Sequence, residues 1–186
     1  MTRIAAVLAK RRPALADDLV AAMAEDVYEM VAGLDLVTPV LITSVPELEE
    51  IVWPGTEVLH IADDTPLREI FALLRGEQAV IVGADAPDLP PLLIGKLFRE
   101  LGRAPLSVCP SQDGGAVALA AHLPLPAWAD PDLDDHDPVK ALRAQAPGPR
   151  QVATGPGWHR VRSAADLARL DPGLEGWDNT RMLLGH

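Results

Sequence analysis

Two aspartates flank a proline in Gly83-Ala84-Asp85-Ala86-Pro87-Asp88, directly after the apolar run Ala79–Val82. A carboxylate at the end of a buried strand can hold a divalent cation, Mg²⁺ or Mn²⁺, and a cation so held bridges and neutralises diphosphate oxygens. Asp85 is the residue placed for that work, although an aspartate that only turns and caps the loop would look the same in sequence. Gly83 lets the backbone turn closely, Pro87 stiffens the loop, and Asp88 is expected to cap the next helix. A basic cluster, Lys10-Arg11-Arg12, precedes Pro13. Positive charge at a helix start suits an anion; a solvated basic turn is the competing reading.

Other chemistry-bearing residues carry less. Asp63-Asp64-Thr65-Pro66 reads as a helix cap. His60, His122 and His136 lack metal-ligand spacing, and His159 reads as structural or exposed. The acidic run Asp130–Asp137 reads as a solvated loop. Asp17-Asp18 and Glu25-Asp26 fall off the apolar stripe of their helix and read as a solvated face. Cys109, the only cysteine, lies in an apolar run and reads as a small buried hydrophobe. There is no G-x-S-x-G, no Walker loop and no zinc spacing.

The elements that must position these residues follow from periodicity. Ile4–Leu8, Val37–Ile42, Glu57–Ile61, Ala79–Val82, Leu106–Cys109 and Ala116–His122 read as strands, with a short one at Gln151–Ala153. A helix opened by Pro13 carries the stripe Leu15, Leu19, Met23, Val27 and Met30 and stops at Gly33. Ser44 and Glu47 suggest a capping box for a short helix through Ile51. Further helices are expected from Thr65-Pro66 to Gly76, from Pro90-Pro91 to Gly102, from Pro138 to Gln145, and from Ser163 to Leu170. Strands alternating with helices predict one three-layer α/β domain, Rossmann-like, with a mainly parallel sheet covered on both faces. Its expected span is residues 1–170, with residues 171–186 as a tail that carries Trp177.

The bulk numbers fit that picture. A chain of 186 residues can bury a core without disulfides. Aromatics make up 4% of it, so the core must be Leu, Val, Ile and Ala. A net charge of −11 argues against nucleic acid and anionic lipid as partners. The N-terminal apolar run precedes its basic residues, the reverse of a secretion signal, and no stretch reaches the ~20 apolar residues of a membrane span. A cytoplasmic location is expected.

The segment Val80–Pro90 resembles the G-x-D-x-P-x-L segment of the nucleotide-diphospho-sugar transferase superfamily, whose members have the GT-A fold. The likeness points first to small bacterial glycosyltransferases of the arsenosugar-biosynthesis type, then to the molybdenum-cofactor and phospholactate nucleotidyltransferases. Ser111-Gln112-Asp113-Gly114-Gly115 is similar to the D-G-G turn of that family, and Arg160–Leu167 stands where the family has D-V-D-T-P-x-D-L. The resemblance runs from Ile4 to Leu170 and implies glycosyl or nucleotidyl transfer from a nucleotide donor. It implies a metal at Asp85, and Asp113 as acceptor-orienting residue or base. Lys10, Arg11, Arg12, Gly83 and Arg162 would meet the donor phosphates.

Two departures qualify the likeness. Arg11-Arg12-Pro13 runs into the helix without the glycine-rich loop that wraps donor phosphates in the family. Arg160 and Arg162 replace acidic residues, and an arginine cannot ligate a cation, although it can fork onto a phosphate. Catalysis, a metal-independent phosphate site and a degenerate member acting as a protein partner all remain open. An open cleft lined by Asp85, Lys10 and an arginine would favour ligand binding. A cleft plugged by Trp158 or the tail would favour the partner.

Overall fold

The computed structural model describes residues 1–186. Strands β1 (Arg3–Ala9), β2 (Thr38–Thr43), β3 (Glu57–His60), β4 (Gln78–Gly83), β5 (Leu106–Pro110), β6 (Ala116–His122) and β7 (Val152–Thr154) form one sheet in the order β3-β2-β1-β4-β6-β5-β7. All pairings are parallel except those of β6, which runs antiparallel to both β4 and β5. The expected α/β architecture is present: the sheet is mainly parallel and both faces are covered.

Alternation along each central strand divides the core. Ala5, Val7 and Ala9 of β1 point to one face, where α1 (Asp17–Ala32) and α3 (Pro91–Glu100) pack. Ile4, Ala6 and Leu8 point to the other, where α2 (Leu67–Leu73) and α4 (Pro138–Gln145) pack. β4 is buried along its whole length, as its unbroken apolar run requires.

The remaining helix, α5 (Asp178–Leu184), packs on the outer side of α1. There Trp177 joins Leu15, Leu19, Met23, Val161 and Leu170 in a third apolar cluster. Asp26, expected on a solvated face, is buried. Its carboxylate accepts from the backbone N–H groups of Asn179 and Thr180, at 3.0 and 2.8 Å, and from both of their side chains. It sits three residues after Met23, on the side of α1 that faces α5. The first turn of α5 has free N–H donors, and a carboxylate from outside satisfies them.

Several local expectations shift. The helix after Pro13 begins only at Asp17. Pro46–Ile51 is a 3-10 turn without the expected capping box, because the Ser44 hydroxyl accepts from the Arg11 N–H instead. The segment begun at Ser163 is a 3-10 helix, Ala164–Arg169, and Ser163 closes a capping box with Asp166 where only a helix start is expected. α2 ends at Leu73, short of Gly76.

Candidate functional site

β1 and β4 lie side by side, so Lys10 and the loop after Gly83 emerge together at the carboxyl ends of the sheet, on the edge where open α/β folds bind ligands. A cleft of about 520 Å³ opens there. Lys10, Arg12 and Arg160 line it from β1 and the C-terminal segment. Asp64, Thr65 and Pro66 line it from the start of α2, and Gly83 from β4. The opposite wall is Asp130–Asp135. The acidic run is therefore not a free solvated loop; it folds back over the sheet and forms one side of the cleft.

Asp85 lies just behind this cleft and is 3% exposed. Both of its oxygens are taken. Arg160 Nη2 donates to Oδ2 at 2.9 Å, and Arg160 Nε lies within 3.2 Å of both oxygens. Arg12 Nη2 donates to Oδ2 at 3.1 Å. Gly83 is required here because a Cβ on it would come within 2.9 Å of Asp85 Oδ1. The glycine makes room for the carboxylate to fold back, which is a more specific reason than a tight turn.

Arg160 is 2% exposed and is held on three sides. Besides Asp85, it donates through Nη1 to the Leu133 carbonyl at 2.9 Å and pairs through Nη2 with Asp134 at 2.9 Å. Burial works against its charge, but Asp85 and then Asp134 outweigh that and raise its pKa above the ordinary guanidinium value. Burial likewise opposes charge on Asp134, yet Arg160, Arg12 and Arg162 together lower its pKa. The Gly114-Gly115 turn closes against this pair. Gly115 has φ +80°, and a Cβ there would lie 2.7 Å from the Leu133 carbonyl and 2.8 Å from Arg160 Nη1. The second glycine of the D-G-G turn thus keeps space for the guanidinium.

The other expected site residues divide. Lys10 and Arg12 reach the cleft, Lys10 also approaching the Thr65 carbonyl at 3.4 Å. Arg11 turns away to Asp63, at 3.8 Å. A hydrogen bond from Ser44, and behind it the Arg11 charge, hold the Asp63 carboxyl below its ordinary value. Arg162 donates to the Gly114 carbonyl at 3.2 Å and lies 4.0 Å from Asp134, at the margin of the cleft. Asp113 is turned outward onto Arg169 and does not line the cleft. Asp88 does not cap α3. It is buried and accepts from Trp158 Nε1 at 3.1 Å, His159 Nε2 at 2.9 Å and the Asp171 N–H at 3.0 Å, fastening the C-terminal segment to β4. His159 is structural, as expected, and Cys109 is buried.

Sequence reasoning missed Arg160 as the partner of Asp85, and Asp134 as the partner of Arg160. The reversal of charge at Arg160 was the available clue: a buried arginine beside a loop carboxylate needs a pair. These residues do not fit a divalent cation at Asp85. Such an ion needs direct oxygen contact, and both carboxylate oxygens already accept from guanidinium groups. No group of three His, Cys, Asp or Glu stands in a metal-holding arrangement anywhere in the chain.

The cleft is open. Neither Trp158, held on Asp88, nor the tail, packed on α1, enters it. No helix is long and apolar enough to cross a membrane.

Comparison with known proteins follows the same lines. Residues 55–132, from β3 through β6, match a family model described as "Uncharacterized protein conserved in bacteria (DUF2064)". That stretch holds both Gly83–Asp88 and Ser111–Gly115. Among curated proteins, no sequence matches the chain. A solved structure reported as a proposed nucleotide-diphospho-sugar transferase from Desulfovibrio desulfuricans is similar over 100% of this chain and 96% of that one, at 16% identity and TM-score 0.69. A 4-diphosphocytidyl-2C-methyl-D-erythritol synthase from Anaerococcus prevotii is similar over 100% and 96%, at 10% identity and TM-score 0.65. Rv0371c from Mycobacterium tuberculosis, solved with manganese, is similar over 94% and 100%, at 20% identity and TM-score 0.58. By these likenesses, which span the whole chain, this chain has the fold of the nucleotide-diphospho-sugar transferases and nucleotidyltransferases.

Proposed function

We propose that the chain binds a nucleotide or nucleotide sugar in the cleft between β1, β4 and the start of α2, and transfers a glycosyl or nucleotidyl group from it. The observation that carries this reading is the convergence of Lys10, Arg12 and Arg160 on one open cleft at the carboxyl ends of β1 and β4. The cleft is two-sided: Arg160 is paired with Asp85 and Asp134, and Lys10 with Arg12 forms a cationic side facing the acidic wall Asp130–Asp135, where an anionic donor would bind. In either transfer an oxygen–carbon or oxygen–phosphorus bond to the donor breaks, and the leaving phosphate takes the electron pair. Lys10 and Arg12, both reaching the cleft, neutralise that charge as it develops.

The acceptor enters from the side of the acidic wall. Asp135 lines the cleft, and burial together with the Asp132 and Asp130 charges raises its pKa, which favours proton uptake from an acceptor hydroxyl. Asp113, bound to Arg169, acts through the turn that seats Arg160 rather than on the acceptor. The same proposal carries the cytoplasmic location.

Calorimetric titration of the full chain with nucleotides and nucleotide sugars, with and without Mn²⁺, tests the reading. Binding that weakens about tenfold in Lys10→Ala and in Arg12→Ala is expected, the worth of one charge-assisted contact of ~1.4 kcal/mol. Absence of binding by every candidate at millimolar concentration overturns it.

A further inference from the structure

We infer that Arg160 and Arg12 supply, as fixed side chains, the positive charge that a divalent cation would bring to Asp85, so that the cleft holds a diphosphate without metal. The inference rests on the proposed donor site and specifies its cofactor requirement.

Charge comes first. Two guanidinium groups surround one buried carboxylate, Arg160 at 2.9 Å and Arg12 at 3.1 Å. Arg160 also pairs with Asp134 at 2.9 Å, so these two guanidiniums and two carboxylates are neutral together, and Lys10 on the same cleft brings the group to about +1, the charge that one divalent ion on one carboxylate would leave. The positive charge is therefore already built into the chain, and a second cation placed against Asp85 would be repelled by both arginines.

Geometry comes second. Arg160 is locked. Asp85, the Leu133 carbonyl and Asp134 hold its three nitrogens, and Gly115 leaves room for Nη1 where any side chain would collide. A metal at Asp85 would compete with donors on both oxygens, among them a guanidinium that is 2% exposed and is also held by the Leu133 carbonyl and Asp134. Arg12 differs. Its side chain is 28% exposed, it gives one nitrogen to Asp85, and it lines the cleft. Arg12 and Lys10 are thus the groups that touch the ligand, and Arg160 is a positioning residue that fixes Asp85 and, through Asp85, the Arg12 fork.

The test uses the full chain with pyrophosphate and nucleoside diphosphates as probes, each titrated in EDTA and in Mg²⁺, and with Mn²⁺ alone followed by electron paramagnetic resonance. The expected result is binding in EDTA within about threefold of that in Mg²⁺, with no Mn²⁺ bound by the protein alone. Arg160→Asp, which places a second carboxylate beside Asp85, is expected to gain Mn²⁺ binding and to make diphosphate binding depend on metal. A folded Arg160→Asp that gains none shows that Arg160 does not stand at a cation position, and overturns the inference. If that variant does not fold, Arg12→Ala decides: EDTA binding about tenfold weaker supports the inference, and unchanged binding overturns it. Wild-type binding in Mg²⁺ but not in EDTA, with Mn²⁺ bound and lost in Asp85→Asn, overturns the inference and leaves the donor site standing. No binding under either condition overturns both.

Discussion

Arg160 Nη2 meets Asp85 Oδ2 at 2.9 Å, joining the C-terminal segment to the end of β4 across 75 positions of sequence. Both side chains are almost wholly buried, 2% and 4% exposed. Removing Arg160 leaves the buried Asp85 with Arg12 alone, and removing Asp85 leaves the buried Arg160 with Asp134 alone; a charge left under-compensated in the interior costs more than losing both members. Arg160→Met is expected to lower unfolding stability by about 3–5 kcal/mol, and Arg160→Met with Asp85→Leu to recover most of it. Urea unfolding of the two single variants and the double variant measures the coupling; additive losses would mean that the pair is not held as described.

The acidic wall is fastened through Asp134, whose pKa is lowered in the folded state. A carboxyl with a depressed folded pKa stabilises above its unfolded pKa, near 4, and that contribution is lost as pH falls through the folded value. The wild-type wall is thus expected to hold at neutral pH and to loosen only below about pH 4. Asp134→Asn removes this pH-dependent part, so its stability should fall less steeply with acid than that of the wild type. Circular dichroism across an acid titration compares the two slopes.

Asp26 holds the first turn of α5 with four hydrogen bonds. Asp26→Ala strands buried donors at a helix start and is expected to cost about 1–3 kcal/mol. Amide exchange should show residues 178–184 losing protection before the sheet does. Uniform loss across the whole chain would mean that α5 unfolds only with the domain.

Burial pushes the Cys109 thiol up to about 12, and its Sγ–H donates to the Pro156 carbonyl at 3.2 Å. The thiolate is the reactive form, so the folded protein is expected to resist a thiol reagent at neutral pH and to react fully in denaturant. A colorimetric thiol assay under both conditions reads this directly.

Much of the scaffold was legible because it depends on near neighbours. The apolar run 79–82 could only be a buried strand, and the helix Pro138–Gln145 matches its expected bounds at both ends. Gly83 and Gly115 were legible as special positions, but the atoms they make room for were not. The box expected at Ser44 did not form, whereas Ser163 with Asp166, a like pattern, formed one. The difference is the Arg11 N–H, which comes from another part of the chain.

By itself the sequence determined the order of strands and helices, the apolar core and the end of the sheet at which a ligand would sit, since periods of 2 and 3.6 residues set which side chains turn inward. Tertiary structure decided what the charges do. Asp85 is bound to Arg12 and Arg160, Asp26 caps a helix 153 positions away, Asp88 fastens the C-terminal segment, and the acidic run walls the cleft. Periodicity places a side chain on a face but not beside a partner. Whether a carboxylate meets a metal, a guanidinium or a helix end depends on which distant segments the sheet brings together.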